Sequence, residues 1–142
     1  MRLMSDALKR LKELTTKISS YELTRKENLK RLKELFVDLG LDKKIESFAT
    51  IFGYKAINLS AVSLQKESFG EIQEGKYLQI LAITKVEGKS KNISLGYFGR
   101  VENVDAKLRS EVMEFVIRYR FEKSFLTLEH YHDLLENFKE DG

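Results

Sequence analysis

A chain of 142 residues, 42% hydrophobic and 33% charged, holds enough apolar material for one packed core and too much for a disordered polymer. It has no cysteine, which excludes disulfides, thiolate zinc sites and thiol nucleophiles, and no apolar run near the ~20 residues of a membrane span. Its net charge of +3 is uneven, with 12 Lys/Arg against 8 Asp/Glu in residues 1–46 and 6 against 10 in residues 102–142.

The first residues contain no long apolar segment and no small-residue cleavage pattern, so a cytoplasmic location is expected. Proline is absent, and seven of the eight glycines fall between Gly40 and Gly99. The two flanks are therefore free to be helical, and the turns belong to the middle. This predicts an α+β domain spanning 1–142, helical over 1–52, an antiparallel sheet over 54–101 and helical again over 105–140.

In the first flank, Leu8, Leu11, Thr15 and Ile18 follow a 3-4 spacing, and so do Leu29, Leu32, Phe36 and Leu39. Glu22 and Arg25 interrupt that seam. Ser19-Ser20 and the capping-box pattern from Thr24 to Glu27 mark a fresh helix start. A helical hairpin or kinked helix is predicted, stopped by Gly40, with Asp42 capping a short third helix from Lys43 to Phe52.

The middle reads as three strands in a meander. Residues 54–65 place Ile57, Leu59 and Ala61 on one face, and Val62 and Leu64 switch face as at a bulge. Residues 76–86 are apolar on both faces, which predicts a central strand covered on each side. Residues 92–101 alternate through Ile93, Leu95, Tyr97 and Val101. In the last flank, Leu108, Val112, Phe115, Val116 and Tyr119 form a helical stripe. A break at 124–127 then leads to a second C-terminal helix bearing Leu128, Tyr131, Leu135 and Phe138, with an acidic outer face.

Few residues carry recognisable chemistry. Glu87-Gly88-Lys89 has the acid-x-lysine spacing that metal-dependent nucleases use to pair a metal ligand with a phosphate-polarising amine. The preceding strand offers no carboxylate to complete such a site, and the glycine favours a hairpin turn. His130 and His132 lie two apart in a segment of helical period, which points them to different sides. The segment 96–100 places Tyr97 and Phe98 beside Arg100, and aromatics beside cations on an open sheet can stack bases. Core packing is the simpler use of those rings. Residues 35–53 match a helix-turn-helix weakly, because Phe36 and Glu46 occupy positions that want a small and an apolar side chain.

The composite expectation is a non-enzymatic binding module acting through protein–protein contacts, as an adaptor, a virion component or an inhibitor. It needs no cofactor or metal and has no catalytic set. Its expected partner is a second copy or another protein, engaged by Leu29, Leu32, Phe36 and Leu39. The first alternative is nucleic-acid binding by Lys9, Arg10, Lys12, Lys30, Arg31 and Lys33, and the second is a metal-dependent nuclease.

Overall fold

The computed structural model describes residues 2–140. Two long helices, α1 (Arg2–Asp38) and α2 (Ala106–Glu140), flank a three-stranded antiparallel sheet of β1 (Ala56–Leu59), β2 (Tyr77–Val86) and β3 (Lys89–Arg100) in the order β1-β2-β3. The α+β class and the antiparallel meander stand as the glycine distribution predicts.

Both flanks differ from expectation in one respect: each is a single helix. The hairpin predicted near Ser20–Thr24 is absent, and α1 runs about 55 Å without a break. Of the two polar residues that interrupt its seam, Glu22 is exposed and Arg25 is accommodated by α2. Arg25 reaches Glu122, and the Asn28 amide donates to the Arg118 carbonyl at 2.9 Å. An interruption of the apolar seam is thus a change of partner chemistry, with no change of backbone. The two predicted C-terminal helices are likewise one. Ser124 and Thr127 turn their hydroxyls back onto the carbonyls of Phe121 and Lys123, so neither side chain competes for a cap.

Gly40 ends α1 in the left-handed region, at φ 73°, as its position predicts. The helix expected from Lys43 to Phe52 is instead two 3-10 segments, Leu41–Lys43 and Phe48–Gly53. The second helix of a helix-turn-helix is therefore absent. β1 is shorter than predicted because Ala61 adopts φ 69° and turns the chain, so that Val62 pairs only in an isolated bridge with Ile72. That is the place where the apolar residues change face.

The two helices run antiparallel, since contacts pair rising numbers in α1 with falling numbers in α2: Arg25 with Glu122, Asn28 with Arg118, Arg31 with Glu114. Between helices and sheet lies the core, built from Leu32, Leu35 and Phe36 of α1, Phe115, Val116 and Tyr119 of α2, and Leu78, Ile80 and Leu95 of the sheet. Only this face of the sheet is fully buried. Tyr77 is exposed and Leu81 and Ile83 are half-buried, which corrects the expectation of cover on both sides. The core uses the last third of α1 and the first half of α2. Both helices continue past it.

Candidate functional site

The surface that stands out follows from that overrun. On α2, Ile117, Phe121, Ser124, Leu128, Tyr131, Leu135 and Phe138 recur at alternating 4-3 spacing, three heptads with one polar position. The repeat lies roughly 140° around the helix from the core face of Val112, Phe115, Val116 and Tyr119. It therefore points away from the body. Leu128 is 64% exposed, Leu135 62% and Phe138 76%, and Ile117 and Tyr131 are exposed as well. Near the core, the seam opens into a shallow groove bordered by Thr24, Phe69, Met113, Ile117 and Phe121. An exposed apolar strip this long is unusual on a folded chain.

The side of α2 facing α1 is polar and ordered. The Arg25 guanidinium donates to Glu122 at 2.9 Å and to Glu129, and it lies 5.4 Å from the centre of the Phe125 ring. Glu129 therefore belongs to the interhelix contact, whereas the acidic face was expected to be wholly outward. Nearly two turns of α1 further on, Arg31 donates to both oxygens of Glu114, at 3.1 and 3.2 Å, and Arg118 donates to the same carboxylate at 2.7 Å. Arg31, and then Arg118, hold the Glu114 carboxyl below its ordinary range against the opposing effect of burial. These charges fix the rotation of α2 about its axis, so the apolar repeat must face outward.

The predicted interaction residues sit elsewhere. Leu32 is 0% exposed and Phe36 5%, and Leu29 and Leu39 are half-buried beside them. Leu32, Phe36 and Leu39 pack into the chain's own core, so the predicted stripe is largely interior, with only Leu29 outside that cluster. Of the predicted cations, Lys9, Arg10, Lys12, Lys30 and Lys33 are exposed, whereas Arg31 is committed to Glu114 and Glu34. Lys33 also lies over the Phe48 ring at 5.6 Å. The structure does not gather these cations: about 30 Å of helix separates the group at 9–12 from the group at 30–33.

Glu87 and Gly88 form the two-residue loop joining β2 to β3, with Val86 paired to Lys89 and both loop residues at positive φ, 53° and 80°. Glu87 and Lys89 stand exposed at the hairpin tip, and among the described residues no cluster of three or more His, Asp or Glu is placed to hold a metal. His130 stacks beside Tyr131, and His132 lies near Asp133 and Glu136, both on exposed helix. Tyr97 and Phe98 face opposite ways, Phe98 packing against the core and Tyr97 lying 5.8 Å from Tyr77 on the open side of the sheet. Among the described residues no helix is long and apolar enough to cross a membrane.

Sequence reading found the lower half of the seam, Leu128 to Phe138, but assigned it to a separate helix. The signal that would have joined it to Ile117 and Phe121 is the unbroken 4-3 spacing through Ser124. No family model matches the chain, and no curated protein or solved structure matches it either.

Proposed function

We propose that this protein is a non-enzymatic binding module that works through protein–protein contacts, and that its docking element is the outward seam of α2 with the groove at its upper end. The observation that carries this reading is the apolar repeat from Leu128 to Phe138 left exposed beyond the core, continued toward the core by Ile117 and the half-buried Phe121. Such a strip reproduces the surface that helix-in-groove and coiled-coil recognition use, with anchors on one face of a rigid helix. The core face of α2 is already filled by the body, and Tyr131, Leu135 and Phe138 lie outside the core, so a partner accounts for the large apolar side chains there.

The test is site-specific photocrosslinking in the native cell. A photoreactive residue at Tyr131 should give a discrete protein adduct, and one at the exposed Asn137, on the opposite side of α2, should not. Equal labelling at both positions, or none at either, would count against the seam as a docking surface.

A second reading, nucleic-acid binding, draws support from the open sheet face. Tyr77 and Tyr97 lie side by side there next to the Ser94–Gln79 hydrogen bond of 3.1 Å. Exposed aromatics flanked by amides suit single-stranded bases, with Lys9, Arg10 and Lys12 as remote phosphate contacts. A mobility shift at low salt that fades steeply with added salt is expected on this reading. The absence of a shift with single-stranded DNA and RNA removes it.

A further inference from the structure

The seam is large enough for a dimer and is compatible with a copy of itself. We infer that its occupant is a second copy of this chain, joined by parallel pairing of the two α2 seams about a twofold axis along the helices. This rests on the docking reading above and goes further by naming the partner and its orientation.

The first argument is area. Taking on the order of 200 Å² for each side chain, the exposed parts of Leu128, Tyr131, Leu134, Leu135 and Phe138 amount to roughly 600 Å² per copy. A pair would bury about 1,200 Å², the lower edge of the range for specific stable interfaces, before Ile117 and Phe121 are added. A self-paired seam therefore needs no further surface from another partner.

The second argument is charge. The residues bordering a heptad seam decide which partner and which direction are allowed. With Leu128 and Leu135 at the a positions and Tyr131 and Phe138 at d, every carboxylate of this half of α2, from Glu122 through Glu129, Asp133 and Glu136, falls at b or f, away from the seam. The bordering e and g positions hold no acid. In a parallel pair each g residue faces the e residue five positions on in the other copy. At the core end Arg120 and Phe125 are already engaged within the chain, by Ile57 and Asn58 and by Tyr21 and Arg25; further along, Thr127 meets His132 and Leu134 meets Lys139. No two like charges are opposed, and the aliphatic stem of Lys139 can lie on Leu134.

The third argument is clearance. The seam points roughly 140° from the core face of α2, so two copies paired along it carry their sheets on opposite outer sides. Phe69, 58% exposed, rims the groove beside Ile117 and Phe121 at the upper end of the seam. Ser124, in the centre of the seam, is the one polar a/d residue; it is small, and its hydroxyl is already spent on the Phe121 carbonyl at 2.6 Å.

The chain's lack of cysteine makes the test direct. Sedimentation equilibrium of the full chain should report a dimer with a dissociation constant in the micromolar range or tighter. Leu128→Asp combined with Leu135→Asp should weaken it by about 100-fold or more while the far-ultraviolet circular dichroism of the diluted monomer is unchanged. Both side chains lie outside the core, and Ile93→Ala, a sheet substitution away from the seam, should leave the dimer intact. The variant L135C should form a disulfide-linked dimer on mild oxidation, because a residues meet their own copies in a parallel pair, whereas E136C should not.

A monomer at about 100 µM overturns the inference. So does a dimer that survives the double aspartate change. A dimer lost in that variant but not cross-linked through L135C overturns the parallel pairing. If the chain is monomeric and the photoreactive residue at Tyr131 still captures a different protein, this inference fails and the docking reading stands; if it captures nothing, both fail.

Discussion

Arg25 and Glu122 face each other across the two helices, the guanidinium donating at 2.9 Å to a carboxylate whose side chain is only 3% exposed. The second Glu122 oxygen has no hydrogen-bond partner among the described residues. Arg25 is itself shared with Glu129, whose hydrogen bond is the main cause that raises the guanidinium further above its ordinary value. Arg25→Ala would leave a buried carboxylate without its cation and should cost about 2 kcal/mol, less than a fully buried pair because Arg25 is partly solvated. Arg25→Lys should fall between, since one ammonium cannot serve two carboxylates as a planar fork does. Replacing both residues, Arg25→Met with Glu122→Leu, should recover most of the loss. Chemical denaturation of the four proteins checks the ranking, and a double replacement no better than Arg25→Ala would refute the account.

Glu114 is expected to make the stability of this helix pair depend on pH. Its folded-state carboxyl is held below the ordinary 4.5, by Arg31 foremost and by Arg118. A depressed carboxyl binds fewer protons folded than unfolded, so stability rises with pH. The contribution is complete above the ordinary value and disappears as pH falls through the lowered one. Glu114→Gln should therefore lower stability at pH 7 by on the order of 1 kcal/mol, the pair being about one-third exposed. It should change little at pH 2. Denaturation midpoints from pH 2 to 7 should converge at the acid end; parallel curves would show that Glu114 does not act through its charge.

The β2–β3 hairpin can be improved. Glu87 occupies the left-handed region at φ 53°, followed by Gly88 at 80°. A glutamate there carries a backbone cost that asparagine largely avoids, and Asn-Gly is the favoured two-residue loop. Glu87→Asn should raise stability by about 0.5–1 kcal/mol. Glu87→Val should lower it, because a β-branched residue resists positive φ. Thermal melts of the two variants should move in opposite directions.

Gly96 is buried in β3 for reasons of space. A Cβ added there would lie 3.0 Å from the Phe98 ring and 3.1 Å from a Leu41 methyl carbon. The glycine thus lets the 3-10 segment after α1 sit close on the sheet. Gly96→Ala should cost about 1–2 kcal/mol and Gly96→Val more, since Leu41 is fully buried and has no room to retreat. Leu41→Ala in the Gly96→Val background should recover part of the loss; strict additivity would argue against the contact.

The α+β class, the antiparallel order of the strands, the Glu87-Gly88 turn and the helix stop at Gly40 were all legible in the sequence, because each depends on local chemistry. Glycine supplies positive φ wherever it stands, and alternation of apolar residues marks a half-buried strand before any partner is known. The hairpin in the first flank was misread because Arg25 looks like an interruption when α1 is read alone and becomes a contact only when Glu122 arrives from 97 residues away. The break in the last flank was misread because Ser124 and Thr127 look like a helix start, whereas their hydroxyls bond back to carbonyls of the same helix. Local sequence reports how a residue departs from a pattern and cannot report what satisfies it.

The same limit separates core from surface. Leu29, Leu32, Phe36 and Leu39 form a helical stripe no different in spacing from Leu128, Tyr131, Leu135 and Phe138. Periodicity alone determined that each stripe lies on one face of a helix. Which stripe the sheet covers was decided by tertiary structure: β1 to β3 dock on the last third of α1 and the first half of α2, and the Arg31–Glu114–Arg118 contacts set the rotation of α2. One small sheet buries one length of the helix pair, and the apolar face beyond its reach remains in water. Burial is a property of two surfaces meeting, so the interior stripe and the exposed one could be told apart only after the chain had folded.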